Sequence, residues 1–512
     1  LKEGSIIEWK YTINSPYNWS IPDVICQYNV PIENLICKVQ IPEYFVFNHY
    51  PSRYFPINVI KTRTQKNYMT QSGPVSIPEF VYEIRREHIP ALVDEPYVNN
   101  INNYRAKVKF EIAAYNPPNG VSKLYNTSWE KVTKTIYESS GFGGQLKKNS
   151  HFKNDLESLL AGAPNKNEAL LLIFDFVKNK IKWNNYNSKY SSAGGVKEAY
   201  KDGIGNVADI NLTLTAMLRA AEFNANPVLV STRSHGIPIF PTKRGFNYVI
   251  TGVEMNGKVI LLDASEKYSQ PNILPRRDLN WEGRLVREDG TSRTVSLYPN
   301  TYNQKVVKLN AKMDPEGGMG GMMITTYKGL NALEYRSAFN NQKEDDLIAA
   351  LETQNGNIEI DQIRIKNQEK CLKPISEMIK FTKDDAVDII GDKIYVSPML
   401  FLTIHENPFK LEDRLYPIDY GSPWKNQTMI QLEVPEGYTV QSKPQDISLS
   451  LPDQMGSYVL KTELRNNMIH VTSETRLNVA VIAPNYYKTI KELYKKAIEN
   501  QLEKIILIQQ GP

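Results

Sequence analysis

Asn256-Gly257 stands between two apolar runs, Asn247 to Met255 and Lys258 to Ala264. Asn-Gly in that setting is the strongest short-range signal for a two-residue β-hairpin turn, because both central positions need positive φ. The turn fixes the register: Ile250 pairs with Asp263, and Tyr248 projects from the same face as a diagonal neighbour of Asp263. Upstream, Ile210, Leu214, Met217, Leu218 and Ala221 recur at helical spacing and predict a helix over Ala208–Glu222. A strand over Pro227–Ser231 follows it. An earlier helix starts at Pro164 and Asn165, with Leu170, Ile173, Phe174, Val177 and Ile181 on one face. The middle of the chain is therefore helices followed by an antiparallel sheet.

The chain has 512 residues, and roughly 150 residues per domain suggests about three domains. From Leu1 to about Thr135, alternating runs (Ser5–Ile13, Leu35–Ile41, Val108–Ala113) between Pro, Asn and Gly clusters read as a β-sandwich. Gly141-Phe-Gly-Gly144 reads as a linker turn. Gly317, Gly318, Gly320 and Gly321 among the methionines of Met313–Met323 mark a flexible connector. Beyond it, Gln431–Val434, Tyr438–Gln441 and Met468–Thr472 alternate as strands, and a helix over Asn485–Asn500 precedes a last strand at Ile505–Ile508. The expected division is 1–140, 141–308, a connector at 309–330, and 331–512.

Composition narrows the function classes. With 41% hydrophobic and 23% charged residues and a net charge of +5, Lys and Arg interleave with Asp and Glu, which argues against a nucleic-acid partner. No apolar run approaches the roughly 20 residues of a membrane-spanning helix. The three cysteines, Cys26, Cys37 and Cys371, lack CxxC spacing and imply neither a disulfide framework nor a zinc site. Their spacing admits a Cys26–Cys37 bridge or two small thiols on neighbouring strands. There is no Gly-x-x-x-x-Gly-Lys loop, and His405-Glu406 runs into Asn407-Pro408, which ends any helix. No metal or cofactor is expected. The sequons at Asn18, Asn126, Asn211 and Asn426 are given no weight.

The segment Gly205-Asn-Val-Ala-Asp-Ile-Asn-Leu-Thr-Leu-Thr-Ala-Met-Leu-Arg-Ala-Ala221, then Ala225-Asn-Pro-Val228, Phe246-Asn-Tyr248 and Leu261-Leu-Asp-Ala264, resembles the transglutaminase-like superfamily over about Lys153–Arg287. The resemblance implies a papain-like fold, with a cysteine at the first turn of a helix, then a histidine, then an aspartate. A thiolate there is stabilised by the helix dipole and free N–H groups, an imidazole takes its proton, and the carboxylate orients the imidazole. In this chain the cysteine position is Val207, the histidine position is Tyr248, and Asp263 alone remains. Valine cannot attack, and a tyrosine with a pKa of about 10 is a poor base. No cysteine lies between Cys37 and Cys371, and His235 sits in a loop after Arg233, where a solvent-exposed role is expected.

The flanks resemble the β-domains that accompany such domains: Lys2 to Tyr11 with Ile21-Pro-Asp23 before it, and Asn407-Pro-Phe with Arg414 to Gly421 after it. The first match enters its domain partway, so further strands are expected before Leu1. The expected fold class is α+β: a central transglutaminase-like (papain-like) domain flanked by two β-sandwiches, the second closed by a terminal helix. The resemblance implies an exported protein of the Gram-negative envelope, periplasmic or outer-membrane-associated. The expected function is a pseudoenzyme that binds or scaffolds a peptide, a glycan or an envelope protein, through a candidate cleft of Asn206, Asp209, Arg233, Tyr248 and Asp263. The alternatives are a hydrolase or transferase with rebuilt chemistry at Tyr248 and Asp263, which needs them in an open polar cleft, and a structural spacer, which needs Val207 buried and the cleft filled.

Overall fold

The computed structural model describes residues 4–70, 73–125, 128–314 and 316–510. It is mixed α and β, 23% helix and 37% strand. Two compact units divide it. The first takes residues up to Asp94 with Ile101–Val132 and Phe240–Thr242, and the second takes Glu95–Asn100, Thr133–Ile239 and Lys243 onward.

In the first unit, strands Ile32–Pro42 and Val59–Thr70 flank Gly73–Ile89 in an antiparallel sheet. A second sheet centres on Lys107–Tyr115, paired with Val24–Ile25, Phe45–Pro51 and Lys123–Leu124. Ile41, Tyr82 and Ile84 of the first sheet share one core with Phe45, Phe47, Val108 and Phe110 of the second, so alternation at Leu35–Ile41 and Val108–Ala113 marks sandwich strands. Ser5–Ile13 alternates as well but lies outside both sheets, with Ile6 95% and Ile13 77% exposed. Alternation yields a half-buried strand only where another layer covers one face. Cys26 and Cys37 are free thiols in the two facing sheets' shared core, Cys26 buried and Cys37 half-buried, rather than a bridge or a pair on neighbouring strands. The sequon at Asn126 lies outside the described residues.

In the second unit, α1 (Lys153–Ala161) and α2 (Lys166–Lys180) precede α3 (Gly195–Asp202) and α4 (Val207–Ala220). Asn165 caps α2 by accepting from Glu168 N at 3.0 Å, and Leu170, Ile173, Phe174 and Val177 are its buried stripe. Helix α4 is buried on all sides from Val207 to Leu218, as a helix in the middle of a domain must be. It ends two residues earlier than its apolar pattern implies, because Glu222 already has φ of 60°. The sheet beside it has strands β1 (Ala225–Val230), β2 (Tyr248–Met255), β3 (Lys258–Leu262), β4 (Glu282–Val286) and β5 (Ser292–Ser296), ordered β3-β2-β1-β4-β5 and antiparallel throughout. Asn256 and Gly257 have φ of 52° and 72°, and Met255 pairs with Lys258 and Thr251 with Leu262, the register read from the sequence. The Gly141–Gly144 stretch is more than a linker turn: Phe142 is buried and a one-turn helix, Gly143–Leu146, follows.

The expected connector is a correction. Residues 309–330 fall largely in a hairpin of β6 (Asn303–Met313) and β7 (Met319–Lys328), paired from Gln304–Lys328 to Met313–Met319. Met313, Met319 and Met323 are buried in its core, and a Cβ on Gly321 would stand 2.3 Å from the Asn310 carbonyl oxygen. The glycines there permit close strand approach instead of flexibility. The hairpin lies inside an eight-stranded sheet with Glu359–Lys366, Ile375–Lys383, Trp424–Glu433, Met468–Leu477, Gly456–Arg465 and Ile447–Ser450. A four-stranded sheet of Asp388–Ile390, Lys393–Val396, Ile505–Gln509 and Tyr438–Ser442 and the helix Tyr487–Leu502 share the same core through Ile394, Leu507, Tyr487, Ile490 and Leu493. Two helices absent from the sequence reading, α5 (Leu330–Phe339) and α6 (Glu344–Gln354), join the layers. Leu330 and Leu333 of α5 pack into the apolar cluster around Val207 and Tyr248, whereas Ala332 and Tyr335 pack against Ile375 of their own sheet. A helix apolar on two faces shows no single stripe.

Candidate functional site

The N-terminus of α4 is where the sequence resemblance places the nucleophile, and the N–H groups of Asn206, Val207 and Asp209 are already engaged there. Asn206 and Asp209 form a capping box: Asn206 Oδ1 accepts from Asp209 N at 2.9 Å and Asp209 Oδ2 accepts from Asn206 N at 3.0 Å. Asp209 Oδ1 also accepts from Ser192 N at 3.0 Å, and Val207 N donates to the Tyr186 carbonyl at 3.3 Å. Asp209 is thus a structural cap as well as a charge on the helix dipole. Val207 itself is fully buried, packed with Val228, Val230, Tyr248 and Ile250.

Behind it, β2 delivers Tyr248 and the end of β3 delivers Asp263, both fully buried. The Tyr248 hydroxyl donates to Asp263 Oδ2 at 2.9 Å and lies 2.7 Å from Ser265 Oγ. Asp263 Oδ1 accepts from Asn211 Nδ2 at 2.8 Å, Ser265 N at 2.9 Å and Ser265 Oγ at 2.7 Å. Asn211 is a turn of α4 beyond Val207, and its own Oδ1 accepts from Ala264 N at 2.8 Å. Arg277 closes the cluster: Nε donates to the Tyr248 hydroxyl at 2.9 Å, Nη2 to Asp263 Oδ2 at 3.3 Å and Ser265 Oγ at 3.2 Å, and Nη1 to Glu266 Oε2 at 3.2 Å. The guanidinium also stacks on Trp183, 4.5 Å from the ring centroid.

The electrostatics follow from burial and from the Arg277 charge. Burial, then the charge of Asp263, pushes the Tyr248 phenol well above its ordinary value, so it keeps its proton and serves no base role. Burial also works against ionised Asp263, but Arg277 and the hydrogen bonds from Asn211 and Ser265 outweigh it and hold this carboxyl below the usual range. Asp278 is the counterpart. It is fully buried, no donor among the described residues reaches either of its oxygens, and its carboxyl faces Asp263. Burial first, and the Asp263 charge second, drive its pKa well up, so Asp278 keeps a proton that it shares with its neighbour.

The remaining candidates divide. Asn206, Asp209, Tyr248 and Asp263 are buried, and only the last two meet through their side chains. Arg233 turns elsewhere, donating to the Leu279 carbonyl at 2.9 Å and pairing with buried Asp419 at 3.3 Å, which also accepts from the Tyr298 hydroxyl at 2.6 Å. His235 is exposed, its Nε2 2.7 Å from the Arg244 carbonyl oxygen. Asn211, read only as a sequon, is fully buried. Ser265 has a local signal, since an aspartate side chain readily accepts from the backbone N–H two residues on, as Asp263 Oδ1 does from Ser265 N. Arg277 and Asp278 carry no local signal. Among the described residues, no group of three His, Cys, Asp or Glu side chains could hold a metal ion.

Comparison with known proteins bears on the fold. Residues 155–258 match the model of the transglutaminase-like superfamily, and residues 392–507 match that of a domain of unknown function (DUF3858). A crystal structure of a "putative protease" from Parabacteroides distasonis is similar over 95% of this chain and 74% of that one, at 12% identity and a TM-score of 0.52. A "putative cysteine protease" from Cytophaga hutchinsonii matches 48% of this chain and 74% of that one, at 13% identity and a TM-score of 0.19. No curated protein matches. The chain therefore carries a transglutaminase-like domain of papain-like fold within a multi-domain, β-rich architecture.

Proposed function

We propose that this chain is a non-catalytic transglutaminase-like protein that acts as a binding or scaffolding module for a peptide, glycan or protein partner in the bacterial envelope. The observation that carries the reading is the complete burial of Val207, Tyr248 and Asp263, with Arg277 bonded to the last two. A reacting bond needs a nucleophile and an approach to it, and this position supplies an alkyl group inside an apolar cluster. Rebuilt chemistry requires Tyr248 and Asp263 in an open cleft, so their burial weighs against it. The same burial moves the expected partner surface from the cleft to the flanking β-domains, and for the cleft itself it favours a purely structural role.

The protease names of the two similar structures belong to those proteins. The periplasmic or outer-membrane placement rests on the resemblance of the three-part architecture and is tested by fractionating the native host. The catalytic half is tested with purified protein, a casein digest and a fluorescent amine-incorporation assay, alongside Val207→Ala. No turnover is expected from either protein. Turnover that Val207→Ala alone abolishes would overturn the reading.

A further inference from the structure

We propose that the second unit carries a peptide-recognition site, filled here by this chain's own Glu95–Asn100, that takes from a partner protein a segment bearing a carboxylate followed two residues later by an aromatic ring. Glu95–Asn100 is separated in the chain from the rest of that unit, which resumes at Thr133, so side-chain and backbone contacts hold it in place. Glu95 forms an ion pair with Arg414 at 3.1 Å, and both side chains are shut off from water, at 6% and 0% exposure. The Tyr97 ring packs against Tyr420, centroids 4.6 Å apart, and against Phe409 at 5.8 Å. The Tyr97 carbonyl accepts from Asp419 N at 2.7 Å. Asn99 Nδ2 donates to Asn280 Oδ1 at 3.1 Å, and Asn100 Nδ2 to the Arg233 carbonyl at 2.6 Å. A charge anchor, a ring slot and a main-chain bond in succession are the means by which proteins bind short peptides.

The receiving side is built independently of the segment. Arg414 is fixed by its own loop, Nε donating to the Tyr416 carbonyl at 2.8 Å and Nη2 to the Pro417 carbonyl at 3.2 Å. Phe409 is braced edge-on by Tyr487 and Tyr494, at 5.7 and 5.3 Å, and Tyr420 by Trp424 at 5.8 Å. Departure of Glu95 leaves a buried guanidinium without that carboxylate, which is costly enough to favour another acid in its place. The occupant itself is held under strain. Pro96 presets the second position of a turn closed by Val98 N donating to the Glu95 carbonyl at 3.3 Å, and Tyr97 follows at φ of 61°, a left-handed conformation that glycine takes freely and an aromatic residue does not. Tyr97 is also 41% exposed. A preformed site filled by a strained segment lying at the surface suits exchange, because a competitor displaces the segment without opening the core. The inference rests on the binding reading above and gives that partner its chemistry.

The test uses the full chain and a fluorescein-labelled peptide with the sequence of residues 92–102. Glu95→Ala with Tyr97→Ala clears the site, and in fluorescence anisotropy this variant should bind the peptide roughly tenfold or more tightly than the parent chain, whose site is already occupied. The same peptide with Glu95→Gln should bind the cleared variant roughly tenfold more weakly. So should the labelled peptide when the cleared variant also carries Arg414→Met, a change that strands no carboxylate because Glu95 is already gone. Hydrogen exchange on the parent chain gives a reading that needs no variant. The Asp419 N–H, bonded to Tyr97, should exchange roughly a hundredfold faster than the Ile430 N–H in the strand Trp424–Glu433, and should slow again in excess peptide. Equal binding by the parent and a cleared variant of native circular dichroism, no binding by either, or an Asp419 N–H that exchanges only as slowly as Ile430 would overturn the proposal. None of these measurements involves turnover, so failure here and failure of the non-catalytic reading are distinguishable.

Discussion

The Tyr248 hydroxyl lies 2.9 Å from Asp263 Oδ2, and both side chains are fully buried. Asp263, which the sequence resemblance assigns to the aspartate position, is hydrogen-bonded to the residue it assigns to the histidine position, through a phenol that keeps its proton. The contact has become an internal structural bond, held by Arg277 from one side and Asn211 from the other.

Arg277 pairs with Asp263 in that cluster, so its loss strands a buried carboxylate. Arg277→Met should cost about 3–5 kcal/mol, the range for removing one partner of a buried ion pair. Urea unfolding checks this. A loss below about 1 kcal/mol would mean that the pair behaves like an exposed one.

Restoring the family's side chain should not restore its chemistry. Val207→Cys replaces a buried residue with a smaller, equally buriable one at modest cost, about 1 kcal/mol. The new thiol should resist iodoacetamide in the native state and react only in urea. Val207→Cys with Tyr248→His should still hydrolyse no peptide, because both positions are fully buried. Rapid native labelling at position 207 would show the burial to be transient.

Asp278 and Asp263 give opposite pH signatures. An unfolded aspartate titrates near 3.9, whereas folded Asp278 keeps its proton well above that. The folded chain then binds the extra proton, so this residue's stabilising contribution is full below about 3.9 and declines as pH rises towards the folded value. Asp263, with its pKa lowered, contributes stability above about 3.9 that is lost as pH falls through its folded value. Asp278→Asn keeps the shape of the protonated side chain, so its urea midpoint should vary less between pH 5 and 9 than that of the parent chain. An unchanged slope would remove the shared proton from the account.

Asp419 joins regions far apart in sequence, meeting Arg233 at 3.3 Å and Tyr298 at 2.6 Å while fully buried. Asp419→Ala should leave Arg233 without its carboxylate and uncouple the transglutaminase-like domain from the sheets that follow. The expected outcome is a calorimetric transition that splits in two, with faster proteolysis near residues 297–303. A single transition shifted as a whole would show that coupling runs through other contacts, such as α5.

The thiols should respond according to burial. Burial, with a smaller effect of Cys37, pushes the Cys26 thiol up to about 12, so Cys26 should escape alkylation at pH 8 until the chain unfolds. Half-buried Cys371 should be modified in the native state. Reductant should leave the melting temperature unchanged, and a drop on its addition would indicate a disulfide after all.

The sequence by itself determined the local parts of this protein. The period of α4, the Asn256-Gly257 turn and the register that sets Tyr248 beside Asp263 all follow from short-range sterics and side-chain period, which neighbouring residues encode. It also determined that no thiol or imidazole occupies the positions its resemblance assigns to them. The tertiary structure decided what stands there instead. Arg277 and Asp278 follow Asp263 at a distance in the chain with no motif, and only the path between β3 and β4 brings them onto it. Met313–Met323 is glycine-rich in either a linker or a hairpin, and only its partner strands distinguish the two. Ser5–Ile13 shows the converse, an alternation with no covering layer. Side-chain period states which face can be buried, and burial itself depends on what the rest of the chain places against that face.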